Sequence, residues 1–101
     1  MIIIRITDSK LEKAFSQLRF GSRLWGEATA RKYIERVNAL QTVNDISEFA
    51  YTLSQYRDHP LKGEKNHRRA FTLHDRLRVE YEPDEDGKGL TIKEVSSHYG
   101  D

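Results

Sequence analysis

The chain has no cysteine. Disulfide staples and thiolate metal sites are therefore excluded, and packing, hydrogen bonds and ion pairs must hold the fold. Prolines are scarce: Pro60 and Pro83 are the only two in 101 residues, so little interrupts regular backbone. Long apolar runs are lacking too. The longest, Met1–Ile4, is far short of the ~20 residues of a membrane-spanning helix. It also lacks the basic flank and long apolar stretch of a secretory leader. The expectation is a soluble cytoplasmic protein with no membrane partner.

Apolar residues make up 37% of the chain and charged residues 33%. The apolar ones are patterned, so a folded domain is expected rather than a disordered one. A length of ~100 residues suits a single domain, 1–101, with its own core. The net charge of +1 hides a segregation: residues 57–79 carry seven Lys/Arg against three acids, and residues 80–101 carry two against seven. A basic band of this kind is either an ordinary solvated face, the reading that charge alone favours, or the electrostatic footprint of a nucleic-acid binder.

Ile2–Ile6 is rich in β-branched residues and reads as a strand. Ser9 with Glu12 makes a capping box, and Leu11, Ala14, Phe15 and Leu18 give one apolar helix face, with Gly21 as the stop. A second helix is predicted from Glu27 to Leu40, with Ala30, Ile34, Val37 and Leu40 on its stripe. A third, shorter helix follows, capped by Asp45 and Glu48 and carrying Ile46, Phe49, Ala50 and Leu53 inward. After Gly63 the period changes to two. Phe71, Leu73, Leu77, Val79 and Tyr81 share one parity, while Arg76, Arg78 and Glu80 take the other. His74–Asp75 marks a tight turn, "PDEDGKG" a second turn, and "LTIKEVSSHY" a last strand. The order β-α-α-(α)-β-β-β predicts an α+β fold, with two to three helices on one face of an antiparallel sheet and the other face open.

Arg78 belongs on that open face, either as a functional cation or as a surface arginine paired with Glu80 or Glu94. In the last strand Leu90 and Ile92 set an inward phase that Val95 breaks. A β-bulge near Glu94 restores it and puts His98 beside Arg78; a regular strand puts Tyr99 there instead.

Residues 56–69, "YRDHPLKGEKNHRR", gather His59 and His67 with Lys62, Lys65, Arg68 and Arg69. With Arg78, His98 and Tyr99 these form the candidate set. No nucleophile elbow, Gly-rich phosphate loop, HxH or HExxH occurs, so neither a metal nor another cofactor is expected. What remains is imidazole, guanidinium, ammonium and phenol. That mixture suits RNA cleavage through the 2′-hydroxyl, which needs a base, an acid and cations around a crowded phosphorane. Histidine titrates near neutrality, and the planar fork of arginine matches phosphate oxygens.

"HPLKG" at 59–63, the strand "RVEY" at 78–81 and the ending "SSHYGD" together resemble the HigB type of the RelE/ParE toxin superfamily. The resemblance covers most of the chain and is most specific from Tyr56 to Tyr99. It implies a fold like that of the microbial ribonucleases. It also implies a bacterial toxin of a toxin–antitoxin module that cuts mRNA in the ribosomal A site without metal. A helix-turn-helix antitoxin would neutralise it in a hetero-oligomer. Carried over residue by residue, His59 is a catalytic candidate, Lys62 an RNA or ribosome contact, and Arg78 the group that stabilises the scissile phosphate. Chains of this type commonly end in Asp-Tyr-His, and those side chains belong to the active site. Here Ser97, His98 and Tyr99 stand in that place, so the acid is gone and the aromatic order is reversed. Leu77 replaces the aromatic that precedes the strand arginine. Two other readings follow from the same resemblance: a ParE-like toxin that inhibits a topoisomerase by contact, and a non-catalytic member that only binds its antitoxin.

Overall fold

Helix starts and stops follow from local chemistry. The computed structural model describes residues 2–43, 46–74 and 76–97, apart from the side chains at 46, 47, 49 and 50. Strand β1 (Ile3–Ile6) leads into α1 (Ser9–Ser16). The cap is Asp8 rather than Ser9: its carboxylate accepts from the amides of Lys10 and Leu11 at 2.9 and 3.0 Å. Gln17 is extended and breaks the helix before α2 (Leu18–Trp25). Gly21 is thus inside a helix and is no stop. A Cβ there would lie 3.1 Å from Ala30 Cβ and 3.4 Å from Ala14 Cβ, so its small size lets three helices meet. The hinge is Gly26, at φ +87°, which suits glycine alone. It opens α3 (Glu27–Gln41), and α4 (Ile46–Ser54) follows. The described chain therefore has four helices, because the first predicted helix is two short ones. Of the residues predicted inward on the third helix, Leu53 is buried. Asp45 and the side chains of Ile46, Phe49 and Ala50 lie outside what the structure describes.

The sheet has five strands in the order β1-β5-β4-β3-β2. Strand β2 is only His59–Pro60, β3 is Arg69–His74, β4 is Leu77–Pro83 and β5 is Gly89–Ser97. Neighbours are antiparallel except β1, which runs parallel to β5. The sheet is accordingly mixed, and "HP" at 59–60 joins it as an edge strand. That fits proline, which has no amide to offer a ladder.

Helices cover one face. Tyr33, Val37 and Leu40 from α3 meet Phe71, Val79, Tyr81, Leu90 and Ile92, all fully buried. The parity predicted for the central hairpin is the one observed. Two irregularities adjust it. Leu73 is an extra residue in β3, between the pairs Thr72↔Arg78 and His74↔Leu77. Lys93 is an extra residue in β5, between Glu80↔Glu94 and Tyr81↔Ile92. The second is the bulge expected near Glu94, and it brings Val95 opposite Val79 on the buried face. No described helix is long and apolar enough to cross a membrane.

Gly89 marks the tightest point of the sheet. A Cβ there would stand 2.5 Å from the Ile3 carbonyl oxygen and 2.9 Å from the Asp84 carboxylate. Gly89→Ala must push β1 off β5. We expect a loss of about 3 kcal/mol, the upper end of the cost of overpacking, read as a lower urea midpoint; an unchanged midpoint would show that β1 adds little to the sheet.

Candidate functional site

Alternation along β2 divides the work between the two faces of the sheet. Asp58, just before the strand, reaches the helix-covered side. It accepts from Arg69 Nη2 at 2.7 Å and Nε at 2.9 Å, and from the Tyr81 hydroxyl. Burial and the adjacent Asp58 carboxylate push the Tyr81 phenol far up, so it stays a donor. His59, the next residue, pairs with Ala70 and turns to the opposite face. Its Nδ1 is 2.9 Å from the carbonyl oxygen of Arg57. A carbonyl only accepts, so Nδ1 carries the proton and a neutral ring keeps its lone pair on Nε2. That nitrogen is shielded from solvent. Arg57 itself sits at φ +60°, a left-handed conformation unusual outside glycine. Backbone strain thus sits two residues from the histidine that it orients.

Across the sheet the face opposite the helices carries two transverse rows. One is His59, Ala70, Glu80 and Glu94; the other is Thr72, Arg78 and Ser96. The connection from Leu61 to Arg68 folds over these rows. It is closed by Leu61 N–H on the Arg68 carbonyl at 2.9 Å and by a 3-10 turn at Gly63–Lys65, with Gly63 at φ +72°. Its Lys65 and Arg68 side chains lie back on the sheet, so the face expected to be open is partly roofed.

Glu80 is at the centre, with 0% of its surface exposed. One carboxylate oxygen lies 3.1 Å from both Lys65 Nζ and Arg68 Nη1. The other accepts from the Ser96 hydroxyl at 2.6 Å and faces Arg78 Nη2 at 3.4 Å. Arg78 also donates through Nε to Ser96 at 3.1 Å. Glu94 shares Lys65 and Arg68 at 3.3 and 3.1 Å. Burial pushes the Glu80 carboxyl up, but the Ser96 hydroxyl, Lys65 and Arg68 outweigh it and hold it below the usual carboxylate range. The bond to Glu80 raises Lys65 in turn. A buried carboxylate with this many donors is a satisfied charge.

Beside this cluster lies a cleft of about 520 Å³ lined by His59, Pro60, Leu61, Lys62, Lys65 and Arg78. The structure therefore brings together four of the predicted residues: His59, Lys62, Lys65 and Arg78. Arg68 lies behind them on Glu80, and His67 turns to Glu82 at 2.9 Å. Arg69 does not join them, because its parity sends it through Asp58 to the other side of the sheet. His98 and Tyr99 lie outside the described residues. Sequence reasoning missed Glu80 and Ser96 as members of the site. Their parity with Arg78 was a readable signal, but burial of Glu80 depends on the roofing loop. Chemically, the cleft offers an oriented imidazole and three cations, a set that can bind a phosphodiester and move a proton beside it. Among the described residues no cluster of three or more His, Asp or Glu could hold a metal.

No family model and no curated protein matches the sequence. Solved structures do. The conserved hypothetical protein HP0894 from Helicobacter pylori is similar at a TM-score of 0.59 and 17% identity, over 97% of this chain and 96% of that one. A Staphylococcus aureus YoeB–YefM complex contains a chain similar at 0.56 and 12% identity, over 98% and 99%. The chain has the RelE-like toxin fold. A copper-bound mutant toxin from H. pylori shares it, at a TM-score of 0.54 and 16% identity over 97% and 96%.

The buried cluster makes a prediction about acid. Glu80 is depressed in the folded state, so its stabilisation is fully present above the unfolded value of about 4.3. It is lost as pH falls through the lower folded value. Urea midpoints followed from about pH 6 to pH 3 should fall less steeply for Glu80→Gln than for the wild type. Parallel curves would mean that Glu80 is not the group whose protonation loosens the fold.

Proposed function

We propose that the chain is the toxin of a type II toxin–antitoxin module of the HigB type. In this reading it is an endoribonuclease that cuts mRNA in the ribosomal A site and arrests translation. The observation that carries the reading is the convergence of His59, Lys62, Lys65 and Arg78 on one cleft of the sheet face away from the helices. The fold supports it, since one structure sharing that fold is described as a toxin and another as a YoeB–YefM complex. By the same analogy a helix-turn-helix antitoxin is its partner.

The chemistry follows from the side chains. RNA cleavage begins with removal of the 2′ proton, and attack of that oxygen on phosphorus builds charge on the equatorial oxygens. Arg78 and Lys65 stand where they can meet that charge, and Lys62 is exposed at the cleft rim. With Nδ1 of His59 donating to the Arg57 carbonyl, Nε2 is the ring atom that can exchange a proton with substrate. Because that atom is shielded, proton exchange with substrate requires the ring to turn or the loop after Pro60 to shift. His98 and Tyr99 are the candidates for the complementary role. Cleavage by His98→Ala and Tyr99→Phe on the same translating mRNA assigns it; if both cut normally, the terminus is not catalytic.

Expression of the chain alone should arrest bacterial growth and stop protein synthesis before DNA synthesis in pulse labelling. DNA synthesis stopping first, with mRNA intact, would favour a topoisomerase inhibitor instead. Arg78→Ala should slow cleavage by about 10²–10³-fold, the usual loss for one positioned charge-stabilising donor, and a fully active Arg78→Ala chain would sink the assignment.

Lys62 should act on binding alone. Lys62→Ala is expected to weaken an oligoribonucleotide equally across sequences and to lower the salt slope by about 0.7, one single-strand phosphate contact. An unchanged slope would place the RNA path elsewhere.

A further inference from the structure

Two of the three cleft cations, Lys65 and Arg78, are already occupied, and their occupant has a telling shape. Lys65, Arg68 and Arg78 converge on Glu80, a group with two equivalent oxygens and one negative charge. A phosphodiester presents two non-bridging oxygens and one negative charge. Lys65 and Arg68 meet one Glu80 oxygen, while Ser96, Arg78 and, at 3.4 Å, Lys65 again meet the other. Two of these cations, Lys65 and Arg78, also line the cleft, so they border both the carboxylate and the space where a ligand would enter. Arg78 meets Glu80 only at 3.4 Å, while Ser96 binds the same oxygen at 2.6 Å. Ser96 therefore continues to satisfy that oxygen if Arg78 turns away.

We propose that Glu80 is a positioning residue that holds the place of the substrate phosphate. Its carboxylate keeps Lys65 and Arg78 gathered at the cleft while no RNA is bound, and these two cations exchange Glu80 for the phosphate when RNA arrives. Glu80 then retains Arg68 and Ser96 and is not left as an uncompensated buried charge. The arrangement has opposite effects on two steps. It competes with RNA for the cations and so weakens binding, and it orders the cations and so speeds the reaction. The inference rests on the reading of the cleft as a phosphate site.

The test uses the full chain with a 2′-O-methyl oligoribonucleotide, which binds but has no 2′-hydroxyl to attack. Glu80→Gln should bind it several-fold more tightly at low salt. Its plot of log affinity against log salt should steepen, because the site gains one net positive charge. Cleavage of unmodified mRNA in a translating extract should meanwhile slow by about tenfold or more. Tighter binding with slower turnover is not what loss of structure produces, since unfolding weakens both. Should Glu80→Gln fail to fold, Glu94→Gln carries the same binding signature at smaller size, because Glu94 is half-exposed and shares Lys65 and Arg68. Unchanged affinity and salt slope, with Arg78→Ala still weakening binding, overturns the inference and leaves the phosphate reading intact. Tighter binding with unchanged cleavage overturns the positioning role. An Arg78→Ala chain that binds like the wild type overturns the phosphate reading and the inference together.

Discussion

A single buried carboxylate organises the functional side of this molecule. Glu80 lies on the middle strand of a five-stranded sheet, facing away from the helices, and would be solvent-exposed but for the loop above it. Lys65 and Arg68 come down from that loop, and Arg78 and Ser96 reach across from the sheet. Removing the charge leaves three cations crowded together. Because Lys65 remains 42% exposed, the expected cost is near the lower end for a broken buried pair, about 3 kcal/mol. The loop's own backbone bonds are few, so this electrostatic anchor largely holds it in place over the sheet.

Charge segregation along the sequence acquires a physical meaning here. The basic stretch 57–79 and the acidic stretch 80–101 are neighbours in the sheet, and much of their opposite charge meets across it. Arg68 and Lys65 meet Glu80 and Glu94, His67 meets Glu82, and Arg69 is taken by Asp58 within its own stretch. A band that reads as a nucleic-acid surface in one dimension is thus mostly neutralised in three. The cations that border the cleft are fewer than the sequence suggests, and they are held in a defined arrangement.

Much of the fold was legible because it rests on periodicity. The alternation from Phe71 to Tyr81 gave both faces of the hairpin, and the misplaced Val95 announced a bulge that falls at Lys93. Helix ends were less legible where two signals competed. Asp8 and Ser9 both cap well, and only geometry favours Asp8. Gly21 looked like a stop because glycine usually is one, whereas its lack of a side chain serves the meeting of three helices. For the site, His59, Lys62, Lys65 and Arg78 could be named from residue type and resemblance. Arg69 could not be excluded without knowing that the two-residue strand β2 sets Asp58 and His59 on opposite faces. Glu80 could be placed on the correct face but not recognised as buried, since no local pattern tells where a polar loop will fold back.

The parallel pairing of β1 with β5 joins Ile3 to Gly89 and Ile6 to Ile92, strands from opposite ends of the described chain. Such a contact closes a very long loop, and loop closure must be met before the pairing repays it. On a ribosome β1 emerges first and has no strand to join until β5 has left the exit tunnel. The helices and the β3–β4 hairpin can gather earlier, but β5 supplies Ser96 and Glu94 as well as the partner of β1. The full set of contacts around Glu80 therefore forms only once β5 is made, and a nascent chain short of β5 has cations near the cleft without the scaffold that orders them.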